Sequence, residues 1–113
     1  IVMQKAALRF RLRIKIFDTG EEALQAVASG ECSIVLMNEE LPDMASYECY
    51  AELRGISTDL PTVVMCKRMV AEDYRRFLFR GGPVTFIHQP VQYQHAERLF
   101  RQLGFQRESL ENM

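Results

Sequence analysis

Runs of apolar residues alternate with segments of helical periodicity along most of the chain. Three runs have the composition and length of strands: "SIVLM" at residues 33–37, "PTVVMC" at 61–66 and "PVTFIH" at 83–88. The first two are predicted to be buried strands, as in the centre of a parallel sheet. Helix-like segments follow each run. The resulting order, β-α-β-α-β-α-β-α after an ambiguous start, predicts a parallel sheet between two layers of helices.

Four segments have the apolar spacing of amphipathic helices. The first, "TGEEALQAVASG", begins with Thr19 as N-cap and has Glu22 three residues later, which is the pattern of a capping box. A glycine after each segment predicts the helix end, at Gly30, Gly55, Gly81 and Gly82, and Gly104. The positions expected to face inward are Leu24, Val27 and Ala28 in the first helix, Tyr50 and Leu53 in the second, Val70, Tyr74, Phe77 and Leu78 in the third, and Ala96, Leu99, Phe100 and Leu103 in the fourth.

Apolar and cationic residues alternate over residues 9–17, "RFRLRIKIF". This alternation predicts a half-buried strand, and its solvated cationic face places it at a sheet edge. The apolar side holds Phe10, Leu12, Ile14 and Ile16, and the cationic side holds Arg9, Arg11, Arg13 and Lys15. Such a row also suits nucleic acid or an acidic partner. Because the net charge is only −1, the edge strand is the simpler interpretation, and we do not expect nucleic-acid binding.

Length and composition fit one domain over residues 1–113. With 48% hydrophobic and 26% charged residues, the chain is ordinary for a globular protein, and no apolar run approaches the roughly 20 residues of a membrane span. No signal peptide is recognisable, and because the chain opens with Ile1 we expect it to be part of a longer protein. Its three cysteines form no Cys-x-x-Cys pair, which predicts reduced thiols and a cytoplasmic location.

The order of these segments resembles the receiver domain of two-component signalling. The resemblance covers residues 12–103. No single motif is specific for the family, but the order and spacing of the motifs together are. "TGEEAL" resembles the start of the family's second helix, "IVLMNEELPDM" its third strand and phosphoacceptor loop, "LPTVVMC" its fourth strand, and "FIHQP" its fifth strand and Lys-Pro turn. The resemblance implies a flavodoxin-like (CheY-like) three-layer α/β/α sandwich.

In receivers an Asp four residues before the loop Pro accepts a phosphoryl group from a histidine kinase. Counting back from Pro42 gives Asn38, whose neutral amide has no ionised oxygen to attack phosphorus. The family's Ser or Thr at the end of the fourth strand falls on Cys66, and its Lys falls on Gln89. The resemblance therefore implies a degenerate phosphoacceptor pocket that lacks nucleophile, hydroxyl and cation.

The resemblance also implies that no metal and no cofactor binds. The family's acidic pair at the end of the first strand, which holds Mg²⁺, has no counterpart, because the first acid in this chain is Asp18. Phe86 matches the family's aromatic switch residue on the fifth strand. Partners of receivers dock on the face made by the fourth helix, fifth strand and fifth helix, where Arg76, Phe79 and His88 fall; peripheral packing is the alternative for these three.

These features predict a phosphorylation-independent regulatory or protein-interaction module, a pseudo-receiver from a response regulator or a hybrid histidine kinase. The expected partner is a histidine kinase, an output domain or a second copy; no enzymatic activity and no small-molecule substrate is expected. One alternative is a genuine phosphoacceptor receiver in a form inactivated at Asn38. Another is a small enzyme or nucleotide-binding domain on this fold, but the chain has no Gly-rich phosphate loop and no nucleophile–base constellation.

Side chains near the predicted pocket have two interpretations each. We expect Glu39 and Glu40 to be solvated loop acids, with replacement of the phosphate's charge as the alternative. Cys66 is expected to be a small packing residue rather than a redox sensor. His88 and His95 are expected to be structural, since neither has a metal-binding partner in sequence.

The start of the chain departs from the receiver pattern. About a dozen residues precede Leu12, too few for the family's first strand and first helix. Either residues 1–3 are the tail of that strand, or a helix comes first and the central strand lies outside this chain. The inward stripe of such a helix would be Val2, Met3, Ala6, Ala7 and Phe10. A missing central strand would leave backbone groups unpaired, so we expect a trimmed chain or a strand lent by a partner or second copy.

Overall fold

The computed structural model describes residues 2–12, 14 and 16–104. The helices are α1 (Val2–Leu8), α2 (Gly20–Ala28), α3 (Ser46–Ile56), α4 (Ala71–Arg80) and α5 (Tyr93–Gln102), and the strands are β1 (Val35–Asn38), β2 (Thr62–Cys66) and β3 (Val84–His88). The order of strands and helices from α2 onward is the one predicted, and the first described element is a helix. No helix in the described part of the chain is long and apolar enough to cross a membrane.

The three strands form one parallel sheet in the order β1-β2-β3. Met37 pairs with Val64, and Val64 pairs with Phe86, so the chain advances one strand with each crossover. The central strand β2 is buried at all five positions because helices cover both of its faces. This is a flavodoxin-like α/β fold, as the receiver resemblance implied, with the parallel sheet that the alternation of segments predicted.

Two hydrophobic clusters fill the spaces between the sheet and its helix layers. On one face α1 packs against α5, where the Phe10 and Phe100 rings are 5.4 Å apart. On the other face α3 packs between α2 and α4. Alternate residues of each strand serve the two clusters: Leu36, Val63 and Met65 face α1 and α5, and Val35, Met37, Val64 and Cys66 face α2, α3 and α4.

The N-terminal segment follows the second of the two predicted arrangements. α1 buries Met3, Ala6 and Ala7, and Phe10 is buried just after it. The strand predicted over residues 9–17 is wrong at its start, where residues 9–11 form the turn that ends α1. Further along, Ile16 forms a parallel bridge with Leu36; Arg13 and Lys15 lie outside the described residues.

The bridge between Ile16 and Leu36 also bears on the gap expected in the sheet. At this point the backbone of β1 pairs directly with the N-terminal segment, so no strand separates them. At this position there is no room for a strand lent by a partner or second copy. For the rest of β1 the lent strand stays a prediction.

Capping of α2 is confirmed in the structure. The Thr19 hydroxyl accepts a hydrogen bond from the Glu22 backbone N–H at 3.2 Å and lies 3.1 Å from Glu22 Oε1. The inward face differs from the prediction, since Ala23, Ala26 and Val27 are buried while Ala28 is exposed. Gly55 does not end α3, which continues to Ile56. On α5, Ala96, Leu99 and Phe100 are buried and Leu103 is partly buried, as predicted.

Helix α4 departs most from its predicted inward stripe. Phe77 is buried and Tyr74 is half-buried, but Val70 and Leu78 are 59% and 63% exposed. The helix contacts α3 on one side, and among the described residues nothing covers the side on which Val70 and Leu78 lie. Gly81, with a positive φ of 81°, follows the helix as predicted.

Arg54 on α3 is a buried cation that no sequence signal singled out. Its side chain is 6% exposed and donates to the carbonyls of Ser57, Leu60 and Pro83 at 2.7 to 3.0 Å. It also donates to the Tyr50 hydroxyl, which in turn donates to the carbonyl of Gly81. These bonds tie α3 to the amino-terminal ends of β2 and β3 and to the end of α4.

Candidate functional site

The carboxyl ends of the three strands bring two of the predicted pocket residues together. Asn38 is the last residue of β1, and Gln89 follows β3 directly. The Gln89 side-chain amide donates to Asn38 Oδ1 at 3.5 Å, a long hydrogen bond between two neutral groups. The Gln89 backbone N–H donates to the Cys66 carbonyl at 2.8 Å, which fixes the Gln-Pro corner against the end of β2.

Cys66 is the third predicted pocket residue, and its thiol points to the other face of the sheet. The alternation of side chains places Asn38 and Met65 toward α1 and α5, whereas Cys66 belongs to the cluster under α2, α3 and α4. Burial raises the pKa of the Cys66 thiol; a hydrogen bond from Tyr74 acts in the opposite direction, and the charge of Glu39 adds to the rise. This position suits a packing residue.

Glu39 is partly exposed, and its carboxylate makes hydrogen bonds that the expectation of a solvated loop acid did not include. One oxygen of its carboxylate, Oε1, accepts hydrogen bonds from the backbone N–H groups of Lys67 and Arg68, the latter at 2.9 Å. Its own backbone N–H donates to the carbonyl of Met65. Successive backbone N–H groups form a cradle for an anion, and here the cradle holds a carboxylate of the same chain. Glu40 is exposed, as expected.

The loop after β1 is anchored again at its far end. The two carboxylate oxygens of Asp43 accept the backbone N–H groups of Gly20, at 2.8 Å, and Glu21, at 3.0 Å, at the start of α2. These bonds lower the pKa of the Asp43 carboxyl. Met44 packs closely on Gly20: a Cβ there would lie 2.6 Å from the Met44 sulfur, so a larger residue would require the Met44 side chain to shift. The loop after β1 is thus bonded to the loop after β2 through Glu39 and to the start of α2 through Asp43.

A cavity of about 270 Å³ opens at these strand ends. It is lined by Asn38, Glu39, Glu40, Met65, Lys67 and Gln89. Magnesium prefers several hard oxygen ligands in octahedral geometry. The lining is a poor match for that ion: Asn38 offers one neutral oxygen, Glu39 Oε1 is engaged by two N–H groups, and the cation Lys67 stands beside the remaining carboxylate, Glu40. Over residues 2–12, 14 and 16–104, no group of three or more His, Cys, Asp or Glu is placed to hold a metal.

Phe86, the predicted switch aromatic, lies half-buried in a stack of rings between β3 and α4. Its ring meets Tyr74 edge-on at 4.7 Å and Phe77 at 5.5 Å. The Tyr74 hydroxyl lies 3.1 Å from Nε2 of His88, an exposed residue at the end of β3. Tyr74 therefore places a ring with a hydroxyl group beside Phe86. Tyr74 belongs to α4, and this contact was not predicted from the sequence.

The three residues of the predicted partner face do not form one patch. Phe79 is 94% exposed. The Arg76 guanidinium lies 5.9 Å from the centre of the Tyr47 ring, toward α3, whereas His88 contacts Tyr74. Because Tyr74 and Arg76 are two residues apart, they lie about 200° apart around the helix. Arg76 and His88 therefore lie on opposite sides of α4, with Phe79 between them on the solvent side.

The fold is similar to that of solved receiver domains. A receiver domain of the sensor histidine kinase PA1611 from Pseudomonas aeruginosa PAO1, with magnesium coordinated in its active-site cleft, is 18% identical, with a TM-score of 0.72 over 91% of this chain and 86% of that chain. A CheY-like receiver domain protein from Methanospirillum hungatei JF-1 is 17% identical, with a TM-score of 0.77 over 90% and 82%. A two-component response regulator from Clostridium difficile is 17% identical, with a TM-score of 0.72 over 88% and 84%.

At these identities the similarity shows the fold, and the chain has the receiver-domain fold of two-component signalling. No family model matches the sequence, and no curated protein matches it.

Proposed function

We propose that this domain is a phosphorylation-independent regulatory module that acts by binding protein partners, a pseudo-receiver of a response regulator or hybrid histidine kinase. The observation that carries the proposal is the contact between Asn38 and Gln89 at the carboxyl ends of the strands. Two neutral amides occupy the positions that the receiver resemblance assigns to the phosphoacceptor and to the cation that steadies the phosphoryl group. Neither the covalent step nor the charge compensation is available there.

The Glu39 contact supports the same function. A phosphoryl group at the strand ends would need backbone N–H donors from the loop after β2, and those of Lys67 and Arg68 already bond a carboxylate. These bonds join the loop after β2 to the end of β1 without any added ligand. This arrangement favours the alternative in which Glu39 replaces the charge of a phosphate. A domain with this built-in charge would not need phosphotransfer to adopt its binding conformation.

Apolar exposure on α4 supports protein binding as the activity. Phe79, Leu78 and Val70 are each more than half exposed on one helix, which is costly in water unless a partner covers them. The partner classes that fit a receiver fold are a histidine kinase, an output domain or a second copy, in the cytoplasm. The domain carries out no chemistry in this proposal and takes no small-molecule substrate and no cofactor.

Labelling with acetyl phosphate tests the proposal. The purified domain is incubated with labelled acetyl phosphate with and without Mg²⁺, and we expect no incorporation in either case. A matched pair of variants, Asn38→Asp and Asn38→Asp with Gln89→Lys, separates the alternatives. We expect no stable labelling of the single variant, because the cation and metal ligands are still absent. Stable labelling of the unaltered protein would refute the proposal, and labelling restored by Asn38→Asp alone would establish the inactivated genuine receiver instead.

A further inference from the structure

The outer edge of β3 has backbone groups that no strand pairs in the described part of the chain. β3 pairs with β2 alone. The Pro83 carbonyl accepts from Thr62 and the Gln89 N–H donates to Cys66, so odd-numbered residues of β3 face β2. In a parallel pair the facing residues alternate, which turns the N–H and C=O groups of Val84, Phe86 and His88 outward. An open edge of this kind is a template for another strand.

One flank of this edge is an apolar stripe on α4. Val70 at the N-cap of α4 is followed by Tyr74 and Leu78 in the helix at four-residue spacing, so the three lie along one side of it. Tyr74 rests on Phe86 at 4.7 Å and reaches His88 with its hydroxyl, which places the stripe alongside β3. Val70 and Leu78 remain 59% and 63% exposed. The stripe is positioned to cover side chains that project from a strand added to the edge.

The opposite flank is a groove between β3 and α5, with a volume of about 410 Å³. It is lined by Thr85, Phe86, Ile87, His88, Gln89, Pro90, His95, Arg98, Leu99 and Gln102. None of these residues is acidic, and Arg98 and His95 project from the exposed side of α5. The charge of this groove is complementary to carboxylates, whereas the α4 flank is apolar.

We propose that the edge of β3 binds an extended segment of a partner protein as an added strand, with apolar residues facing the α4 stripe and acidic residues facing Arg98 and His95. Successive side chains of a strand point to opposite faces, so an alternating apolar and acidic sequence satisfies both flanks at once. Backbone hydrogen bonds to Val84, Phe86 and His88 fix the register of the added strand relative to β3. This inference rests on the proposed function, since it names the chemistry of the partner that such a module would bind.

A peptide of alternating valine and glutamate, about eight residues long as is usual for a strand, is the probe. We expect it to slow amide exchange of Val84, Phe86 and His88 in the ¹⁵N-labelled protein, with little change in β1. Two control peptides share its length: one alternates valine and lysine, and one carries N-methyl groups on the backbone amides that would bond β3. Neither is expected to protect these amides.

Variants of the protein separate the two flanks. Arg98→Glu is expected to weaken binding of the valine–glutamate peptide by about tenfold and to permit binding of the valine–lysine peptide. Leu78→Asn is expected to weaken binding of the valine–glutamate peptide as well. Ile56→Ala is the matched control, because this apolar residue is 48% exposed at the end of α3, which does not flank the β3 edge, and the change is expected to leave binding unchanged.

Two results would overturn the inference: no protection of the β3 amides by the valine–glutamate peptide, or equal protection by the N-methylated peptide. Either result leaves the proposed function standing if acetyl phosphate still fails to label the domain. Conversely, stable labelling would refute the proposed function without affecting the peptide experiment. The two failures are therefore distinguishable.

Discussion

The carboxylate of Glu39, at the end of β1, accepts the backbone N–H of Arg68, beyond the end of β2, at a distance of 2.9 Å. The residues are distant in sequence, but the loops that carry them leave neighbouring parallel strands at the same edge of the sheet. The same carboxylate oxygen also accepts the Lys67 N–H, so two successive backbone donors share one acceptor. This contact joins the loop after β2 to the end of β1.

Replacing Glu39 with Ala should release that loop. We expect the amides of Lys67 and Arg68 to exchange faster and the free energy of unfolding to fall by about 1 kcal/mol, the usual net value of such hydrogen bonds near the surface. Amide exchange and urea denaturation measure the two effects. Glu40→Ala is the control, because Glu40 is exposed in the same loop, and it should change neither quantity. Unchanged exchange at Lys67 and Arg68 in the Glu39 variant would contradict the role assigned to this contact.

Asp43 should make stability depend on pH in the acid range. Its backbone hydrogen bonds lower the pKa of the carboxyl below the ordinary value of 3.8, so the folded state binds a proton less readily than the unfolded state. Its contribution is therefore present above the unfolded pKa and is lost as pH falls through the lower folded pKa.

Urea denaturation between about pH 5 and pH 2 measures this dependence. The curve for Asp43→Asn should be flatter than that of the unaltered protein. Thr58→Ala, a change at an exposed residue that does not titrate, should retain the original slope. If Asp43→Asn showed the original slope as well, the α2 contact would not contribute as described.

Arg54 should be among the most costly side chains to remove. Arg54→Met fills similar space but leaves the carbonyls of Leu60 and Pro83 without this donor, and we expect a loss of about 3 kcal/mol in the free energy of unfolding. Chemical denaturation measures it. Arg80→Met is the matched control: Arg80 is exposed and makes one 3.4 Å bond to Ala51, so its loss should cost about 0.5 kcal/mol or less.

The three thiols should react with iodoacetamide in a definite order. Burial, with smaller contributions from Asp43 and Glu52, raises the pKa of Cys49 to about 11, and burial also raises that of Cys66. Because the thiolate is the reactive form, Cys49 should be slowest and Cys66 slow, while the partly exposed Cys32 reacts first. Peptide mass spectrometry after timed alkylation gives the order, and the denatured protein serves as control. Fast alkylation of Cys66 in the folded protein would favour the redox interpretation.

The strands and helices could be predicted because they depend on local patterns. The run at residues 61–66 is apolar throughout, and it became the fully buried β2. Thr19 and Glu22 are three residues apart, and their capping contact needs only the first turn of a helix. Parallel strands also end at one edge, so the meeting of Asn38 with Gln89 followed from the order of segments.

Other features depend on what packs against each element. Val70 and Leu78 have the spacing of a buried stripe, yet they remain exposed because no described segment covers that side of α4. Arg54 looks like a lone surface cation in sequence, but the carbonyls at the ends of β2 and β3 converge on it. Burial of a side chain is a property of its neighbours in space, which periodicity alone does not specify.

The amino-acid sequence by itself determined the order of strands and helices and the neutral amides at the ends of β1 and β3, because both follow from residue type and short-range spacing. Only the tertiary structure decided that Glu39 bonds the loop after β2, that the Cys66 thiol faces away from Asn38, and that Ile16 pairs directly with Leu36. Each of these contacts joins residues far apart in the chain, and their geometry exists only once the sheet has brought the segments together.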